Sequence, residues 1–222
     1  TRGLLMQGAS RVVAVEMDSM CIEALNDVSE AYNGVLTVFH GNALEIDECE
    51  LIGDTEDKDI HIIANLPYNV GTALLVKWMT AQKWKPWFSS LTLMFQKEVG
   101  MRIVAEPRSK AYGRLSVLCQ YRADVEILFD IPRQAFIPPP KVTSSIVHIT
   151  PRSEAVDTPK QKVLERVVSA AFNQRRKMLR ASLKALGTDP SPKLYAAGIL
   201  ETARAEELSV EDFSKLALEY QS

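Results

Sequence analysis

Apolar and polar positions change period along this chain, and the changes mark its elements. Residues 11–16 read Arg-Val-Val-Ala-Val-Glu, four apolar positions in a row, which predicts a buried parallel strand. Before it, Leu4, Leu5 and Met6 read as the apolar side of a short helix that Gly8 ends. From 19 to 31 the apolar positions fall at Met20, Ile22, Leu25 and Val28, a helical spacing. Strands are expected over 35–40, 60–64 and 91–95, helices over 72–79, 96–105 and 115–121, and a last pair of strands over 125–129 and 145–150. This alternation predicts an α/β fold with a Rossmann-like, doubly wound sheet whose ligands sit at the C-terminal edge of the strands. Past Thr150 the strands stop. A polar linker is expected over 151–159, followed only by helices over 160–186, 191–197 and 209–220. The pattern therefore predicts an α/β domain over 1–151 and a small all-α domain over 152–222, with no internal repeat.

The opening is unusual for such a fold. A helix with no strand before it is a poor start for an α/β domain. The first strand of a βαβ unit, and the loop that carries the glycines in nucleotide-binding folds, are expected to be missing from these 222 residues.

Composition changes the picture in two respects. Three scattered cysteines, Cys21, Cys49 and Cys119, form no CxxC pair, so reduced thiols are expected and neither a disulfide framework nor a metal site is implied. His40, His61 and His148 lie in or beside strands, far apart in sequence, and read as core histidines. Trp78, Trp84 and Trp87 read as packing residues or an apolar surface patch. No run has transmembrane length and no signal peptide heads the chain, so no membrane partner is expected; with the reduced thiols the expected setting is the bacterial cytoplasm, with an organelle as the second choice. The net charge of −2 conceals an asymmetry: residues 1–60 carry 3 basic and 13 acidic side chains, and residues 61–222 carry 23 and 15. The later part thus offers a polyanion-facing surface, or else ordinary solvated faces.

Candidate chemistry gathers at strand ends. Asn65-Leu66-Pro67-Tyr68 follows an apolar β-branched run. The side-chain carbonyl of Asn65 and the backbone carbonyl of Leu66 can accept the two hydrogens of an exocyclic amine. Pro67 fixes the turn and removes a donor, and Tyr68 offers a ring on which a base can stack. The same four residues also suit a plain Asn-Pro turn. Glu16, ending its strand, can accept both hydroxyls of a ribose, with Met17 covering an adenine; it can equally be an exposed strand-end acid. Asp18 reads as a helix cap. Asn42 can bond an adenine amine while the backbone of Ala43 reads a ring nitrogen, or Gly41-Asn42 can be a simple turn. Glu16, Asn42 and Asn65 end three strands in series, and their tips are expected at one sheet edge.

Five blocks then occur in order: Asn65-Leu66-Pro67-Tyr68-Asn69-Val70, Phe95-Gln96-Lys97-Glu98-Val99, Ser109-Lys110-Ala111-Tyr112-Gly113-Arg114-Leu115-Ser116, Phe136-Ile137-Pro138-Pro139-Pro140-Lys141-Val142 and Phe172-Asn173-Gln174-Arg175-Arg176-Lys177. Across essentially the whole chain they resemble the small-subunit ribosomal RNA adenine N6,N6-dimethyltransferases, the kasugamycin-sensitivity family. The resemblance implies an enzyme in which S-adenosylmethionine donates methyl groups to N6 of two adjacent adenosines near the 3′ end of small-subunit rRNA. It implies a catalytic domain over 1–151 that lacks its first strand and glycine-rich loop. Glu16, Met17, Asn42, Ala43 and Asn65 would border the methyl donor. Asn65, Leu66, Pro67, Tyr68 and Phe136 would handle the target base, with Phe136 opposite Tyr68, although Phe136 alone reads as a core aromatic at a Pro-rich turn. Lys97, Arg102, Arg108, Lys110, Arg114, Lys141, Arg175, Arg176 and Lys177 would meet RNA phosphates, the last three with Arg180 and Lys184 as a stripe on the first helix of the small domain. Arg175 or Arg176 can instead bond the domain interface.

Asn42 stands where many relatives have Asp, and without the glycine-rich loop these 222 residues alone are expected to bind S-adenosylmethionine poorly or not at all, whereas the complete protein is expected to be active. The expected partner is rRNA in an immature small subunit, met by a monomer. Cousins that methylate a large-subunit rRNA adenine share the sheet chemistry but are expected to differ in the small domain and around Phe95–Val99. DNA adenine methylases more often carry Asp-Pro-Pro-Tyr or Asn-Pro-Pro-Tyr. A ribosome-assembly checkpoint, in which binding outweighs catalysis, is the non-enzyme alternative.

Overall fold

A computed structural model describes residues 1–53, 58–80, 84–152 and 159–221. These divide into two compact units, Thr1–Lys58 and Asp59–Ser222.

In the first unit, α1 (Arg2–Met6) leads into β1 (Val12–Glu16), α2 (Ser19–Ala31), β2 (Leu36–His40) and α3 (Glu48–Ile52). β1 and β2 pair in parallel, with Glu16 opposite His40. The carboxylate of Asp18 accepts from the Met20 N–H and starts α2, as its sequence position predicts. Asp47 does the same for α3, accepting from the N–H groups of Cys49 and Glu50. The apolar periodicity does not announce α3, because a single turn is too short to show one. β1, expected to be buried, is only half-buried along its length.

In the second unit the strands are β3 (His61–Asn65), β4 (Ser90–Gln96), β5 (Ala123–Ile131) and β6 (Ser144–Pro151), ordered β3-β4-β6-β5. β3 runs parallel to β4, while β6 is antiparallel to both β4 and β5. β4 is the buried centre, with Leu91 and Leu93 fully covered against Val147 and Ile149 of β6. β3 was expected to be buried too. As an edge strand it alternates instead, and Ile63 is half exposed. Helix α4 (Gly71–Met79) follows β3, α5 (Lys97–Ile103) follows β4 directly, and α6 (Arg114–Gln120) precedes β5. Trp78 and Trp84 are buried, and the Trp84 indole N–H donates to the Arg152 carbonyl at 2.9 Å, in keeping with packing roles. Cys119 on α6 is wholly buried, which pushes its thiol up to about 12, whereas Cys21 and Cys49 are exposed.

The expected linker 151–159 begins inside the fold. Pro151 ends β6 and the Arg152 guanidinium bonds Asp124 and the Gln120 carbonyl; 153–158 lie outside the described residues. The last third is helical, with α7 (Gln161–Asn173), α8 (Leu179–Ser182) continued by a 3-10 turn, α9 (Ser191–Ala196) and α10 (Val210–Glu219). These helices share a core with α6: Leu164, Val168, Leu183 and Phe213 pack with Tyr112 and Val117. The helix expected over 160–186 breaks after Asn173. Backbone groups there are used otherwise: Met178 bridges Arg204 and the Leu179 N–H donates to the Ala203 carbonyl at 2.8 Å. The stripe drawn through Arg175, Arg176, Lys177, Arg180 and Lys184 therefore does not lie on one helix.

Candidate active site

The first unit brings Glu16, Met17 and the segment after β2 together. The Gly41 N–H donates to the Glu16 carbonyl at 2.9 Å, so the loop with Asn42 and Ala43 starts beside Glu16. One carboxylate oxygen of Glu16 accepts from the Met17 and Asp18 N–H groups, at 2.8 and 2.9 Å. Those bonds hold the carboxylate at the strand tip, where its second oxygen can accept a vicinal diol. Met17 is 68% exposed, an apolar surface fit to cover a purine. Asn42 is turned to local work: its oxygen accepts from the Leu44 N–H at 3.1 Å and its amide donates to Glu45 at 2.7 Å. The donor set suits the ribose and adenine of a nucleoside, with Glu16 and Met17 as its main features. His40, expected in the core, is exposed and meets the Met17 carbonyl at 3.2 Å. His61 is likewise exposed, beside Ser90 and Asp59, because β3 is an edge strand.

The second unit builds the Asn65–Tyr68 turn. Asn65, last in β3, is exposed and lies opposite Met94. Leu66 is buried and anchors the turn. The Pro67 carbonyl accepts from the Val70 and Gly71 N–H groups, closing the chain into α4. A Cβ on Gly71 would stand 3.3 Å from the Phe95 ring and 3.4 Å from the Leu66 Cβ, so glycine lets this turn lie flat on β4. Tyr68 is 38% exposed and its hydroxyl bonds Ser144 Oγ at 2.8 Å. Ser144 is fully buried and pairs with both Gln96 and Ile131. The connection 132–143, which carries half-buried Phe136 and exposed Lys141, therefore leaves and re-enters the sheet beside the anchor of Tyr68. Ser144 has no motif signature; only the strand register reveals it. Tyr68→Phe is expected to leave Ser144 without this partner and to cost about 1–2 kcal/mol, read as a lower urea midpoint at unchanged slope.

Three of the expected RNA-facing cations are held by carboxylates. Lys97 reaches Asp130 at 2.5 Å, and Asp130 also accepts from Ser145 at 2.6 Å. The bonds from Lys97 and then Ser145 hold the Asp130 carboxyl below the usual carboxylate range. A lowered folded-state value contributes stability that is complete above the ordinary value and lost as pH falls through the folded one. Asp130→Asn is accordingly expected to flatten the acid limb of a stability–pH curve and leave the neutral-to-alkaline side unchanged in shape. Arg102 pairs with Glu98 one turn away. Arg175 bonds Glu206 at 2.7 Å and the Ser109 carbonyl at 3.3 Å, stapling the 106–110 loop to the 205–207 turn. It lines a hollow with Arg108 and Lys110. Lys110, Arg114, Lys141, Arg176 and Lys177 are exposed. A second hollow, of about 470 Å³, is lined by Gln96, Lys97, Glu98, Lys141 and Thr143, together with Arg133, which the motif blocks do not include.

The strand-tip carboxylate beside an apolar cover in the first unit, and the Asn-Leu-Pro-Tyr turn at the end of a parallel strand in the second, are each arrangements that an α/β enzyme acting on nucleosides can use. The backbone agrees: a dimethyladenosine transferase from Plasmodium falciparum superposes with a TM-score of 0.78 over 99% of this chain and 86% of that one, at 24% identity, a likeness of fold. Sequence kinship is much nearer to two bacterial proteins named ribosomal RNA small subunit methyltransferase A. The one from Xanthobacter autotrophicus is 55% identical over 98% of this chain and 74% of its own length. The one from Azorhizobium caulinodans is 56% identical over 98% and 73%. The chain belongs to the ribosomal RNA adenine dimethylase family, whose model matches residues 1–222. It is a methyltransferase of that family, with an α/β fold.

Proposed function

We propose that this protein transfers methyl groups from S-adenosylmethionine to N6 of two adjacent adenosines near the 3′ end of small-subunit rRNA, during maturation of the subunit. The observation that carries this reading is the Asn65–Tyr68 turn, locked by Leu66, Gly71 and the Tyr68–Ser144 bond. The names and close kinship of the small-subunit relatives favour this substrate over a large-subunit adenine.

Bound S-adenosylmethionine supplies an electrophilic methyl group on a sulfonium. The residues of the chain do the rest by positioning. Glu16 accepts the ribose hydroxyls and Met17 covers the adenine, with Asn42 and Ala43 beside them. Tyr68 and Phe136 hold the target base. Asn65 Oδ1 and the Leu66 carbonyl accept the two amine hydrogens, which withdraws the nitrogen lone pair from the ring and directs it at the methyl group. Orientation and fixed dipoles then carry the rate, and no strong general base is required. Residues 1–151 act as the catalytic part and 152–222 as a helical part that adds Arg176 and Lys177 to the RNA-facing charge. The setting is the cytoplasm, with a monomer acting on an immature small subunit; among the described residues no helix is long and apolar enough to cross a membrane.

Expression in a bacterium stripped of its own enzyme tests the reading. Mass spectrometry of the rRNA is expected to find two N6,N6-dimethyladenosines in the small-subunit RNA. Methylation confined to large-subunit RNA, or no methylation, would refute it.

A further inference from the structure

We infer that Arg133, with Lys141, forms a phosphate clamp that seats the RNA strand beside the target adenosine, which makes Arg133 an additional RNA-binding residue of this enzyme. The inference rests on the substrate class proposed above and adds the means by which the strand is held.

The hollow that these residues line opens where β4 ends. Gln96 on its wall stands two residues beyond Met94, the partner of Asn65, or about 7 Å along the strand. Gln96 also pairs with Ser144, the anchor of Tyr68. The hollow therefore lies at the strand end next to the turn proposed to receive the base.

Its charges are sorted in a way that favours one ligand. Lys97 is neutralised by Asp130, and Glu98, the acid on the wall, by Arg102. Arg133 and Lys141 enter no ion pair or side-chain hydrogen bond among the described residues. They approach from opposite ends of the connection 132–143. Arg133 starts a short 3-10 turn after Pro132, and Lys141 follows the proline run Pro138-Pro139-Pro140. Prolines at both ends restrict the backbone in advance, so less freedom is lost when the two cations close on a ligand. A guanidinium fork and an ammonium with no carboxylate of their own suit a phosphodiester, which Arg can take in a bidentate grip. Such a contact fixes the register of the strand without reading sequence.

The test compares the wild type with Arg133→Ala, Arg133→Lys and Arg133→Glu on small ribosomal subunits from a strain lacking this methylation. Binding is measured across a salt series, and turnover and S-adenosylmethionine affinity are measured separately. Arg133→Ala is expected to weaken subunit binding roughly five- to tenfold and to lower the slope of log affinity against log salt by about 0.7–0.9, with methyl-donor affinity unchanged. Arg133→Lys should keep the slope, and Arg133→Glu should weaken binding further than alanine. An alanine variant with wild-type affinity and slope would overturn the inference. Failure of the wild type to methylate bound subunits would overturn the proposed reaction alone, since binding and its salt slope are read without turnover.

Discussion

Replacing Asn65 with alanine is expected to lower methyl transfer by at least about 10²–10³-fold, the loss seen when one preorganised polar group is removed from a reacting centre. The side chain is exposed at the end of β3 and bears no part of the core, so the fold should survive. The informative companion is Asn65→Asp. A carboxylate still accepts an amine hydrogen, but it grips the amine more tightly than a neutral amide does. The first methyl group removes one N–H, and the product must turn before it can receive the second. Asn65→Asp is therefore expected to accumulate monomethyladenosine, whereas the wild type runs on to the dimethylated base. Mass spectrometry of nuclease-digested rRNA separates the two products. Equal mono- and dimethyl yields in wild type and Asn65→Asp would mean that the amide's neutrality has no part in the second transfer.

Phe213→Ala should give the largest loss of stability, about 3–5 kcal/mol. The ring is fully buried on α10 and stacks on Phe172 at 5.6 Å, and Phe172 meets Tyr112 edge-on at 6.0 Å. Truncation would remove the buried end of an aromatic row, Phe213–Phe172–Tyr112, that ties the C-terminal helices to the segment leading into α6. A melting temperature lower by roughly 10 °C is expected, checked by calorimetry and by urea unfolding. Because Tyr112 sits between the exposed Lys110 and Arg114, the same variant should also weaken rRNA binding near its melting range while leaving it intact in the cold. A shift under 2 °C would show that the helical part contributes little to holding α6.

How much of this was legible in the sequence differs from residue to residue. The 19–31 helix and the 35–40 strand read correctly because each carries its own period over enough residues and Asp18 marks a start. The break after Asn173 did not, because the residues on either side keep helical composition. Beyond the break, residues 178 and 179 pair with 204 and 203, which no local pattern encodes. Strand direction was hidden for the same reason: an apolar alternation such as that of 145–150 is equally at home in a parallel or an antiparallel ladder. At the site, Asn65 to Tyr68 were readable because their chemistry is contiguous. Ser144 was not, since 76 residues separate it from the hydroxyl it holds. Basic residues could be counted from the sequence, but which of them carboxylates neutralise, as with Lys97, Arg102 and Arg175, depends on tertiary approach.

The buried thiol of Cys119 has a practical use. Thiol reagents attack the thiolate, and near neutral pH this sulfur, enclosed in α6 and held protonated, is out of their reach while the helix stays packed. Its modification requires the surrounding layer to part, so the pace at which the third cysteine is labelled, after the two exposed ones, measures how often that layer opens. The native chain thus contains its own gauge of breathing motions, readable by mass without adding a single reporter residue.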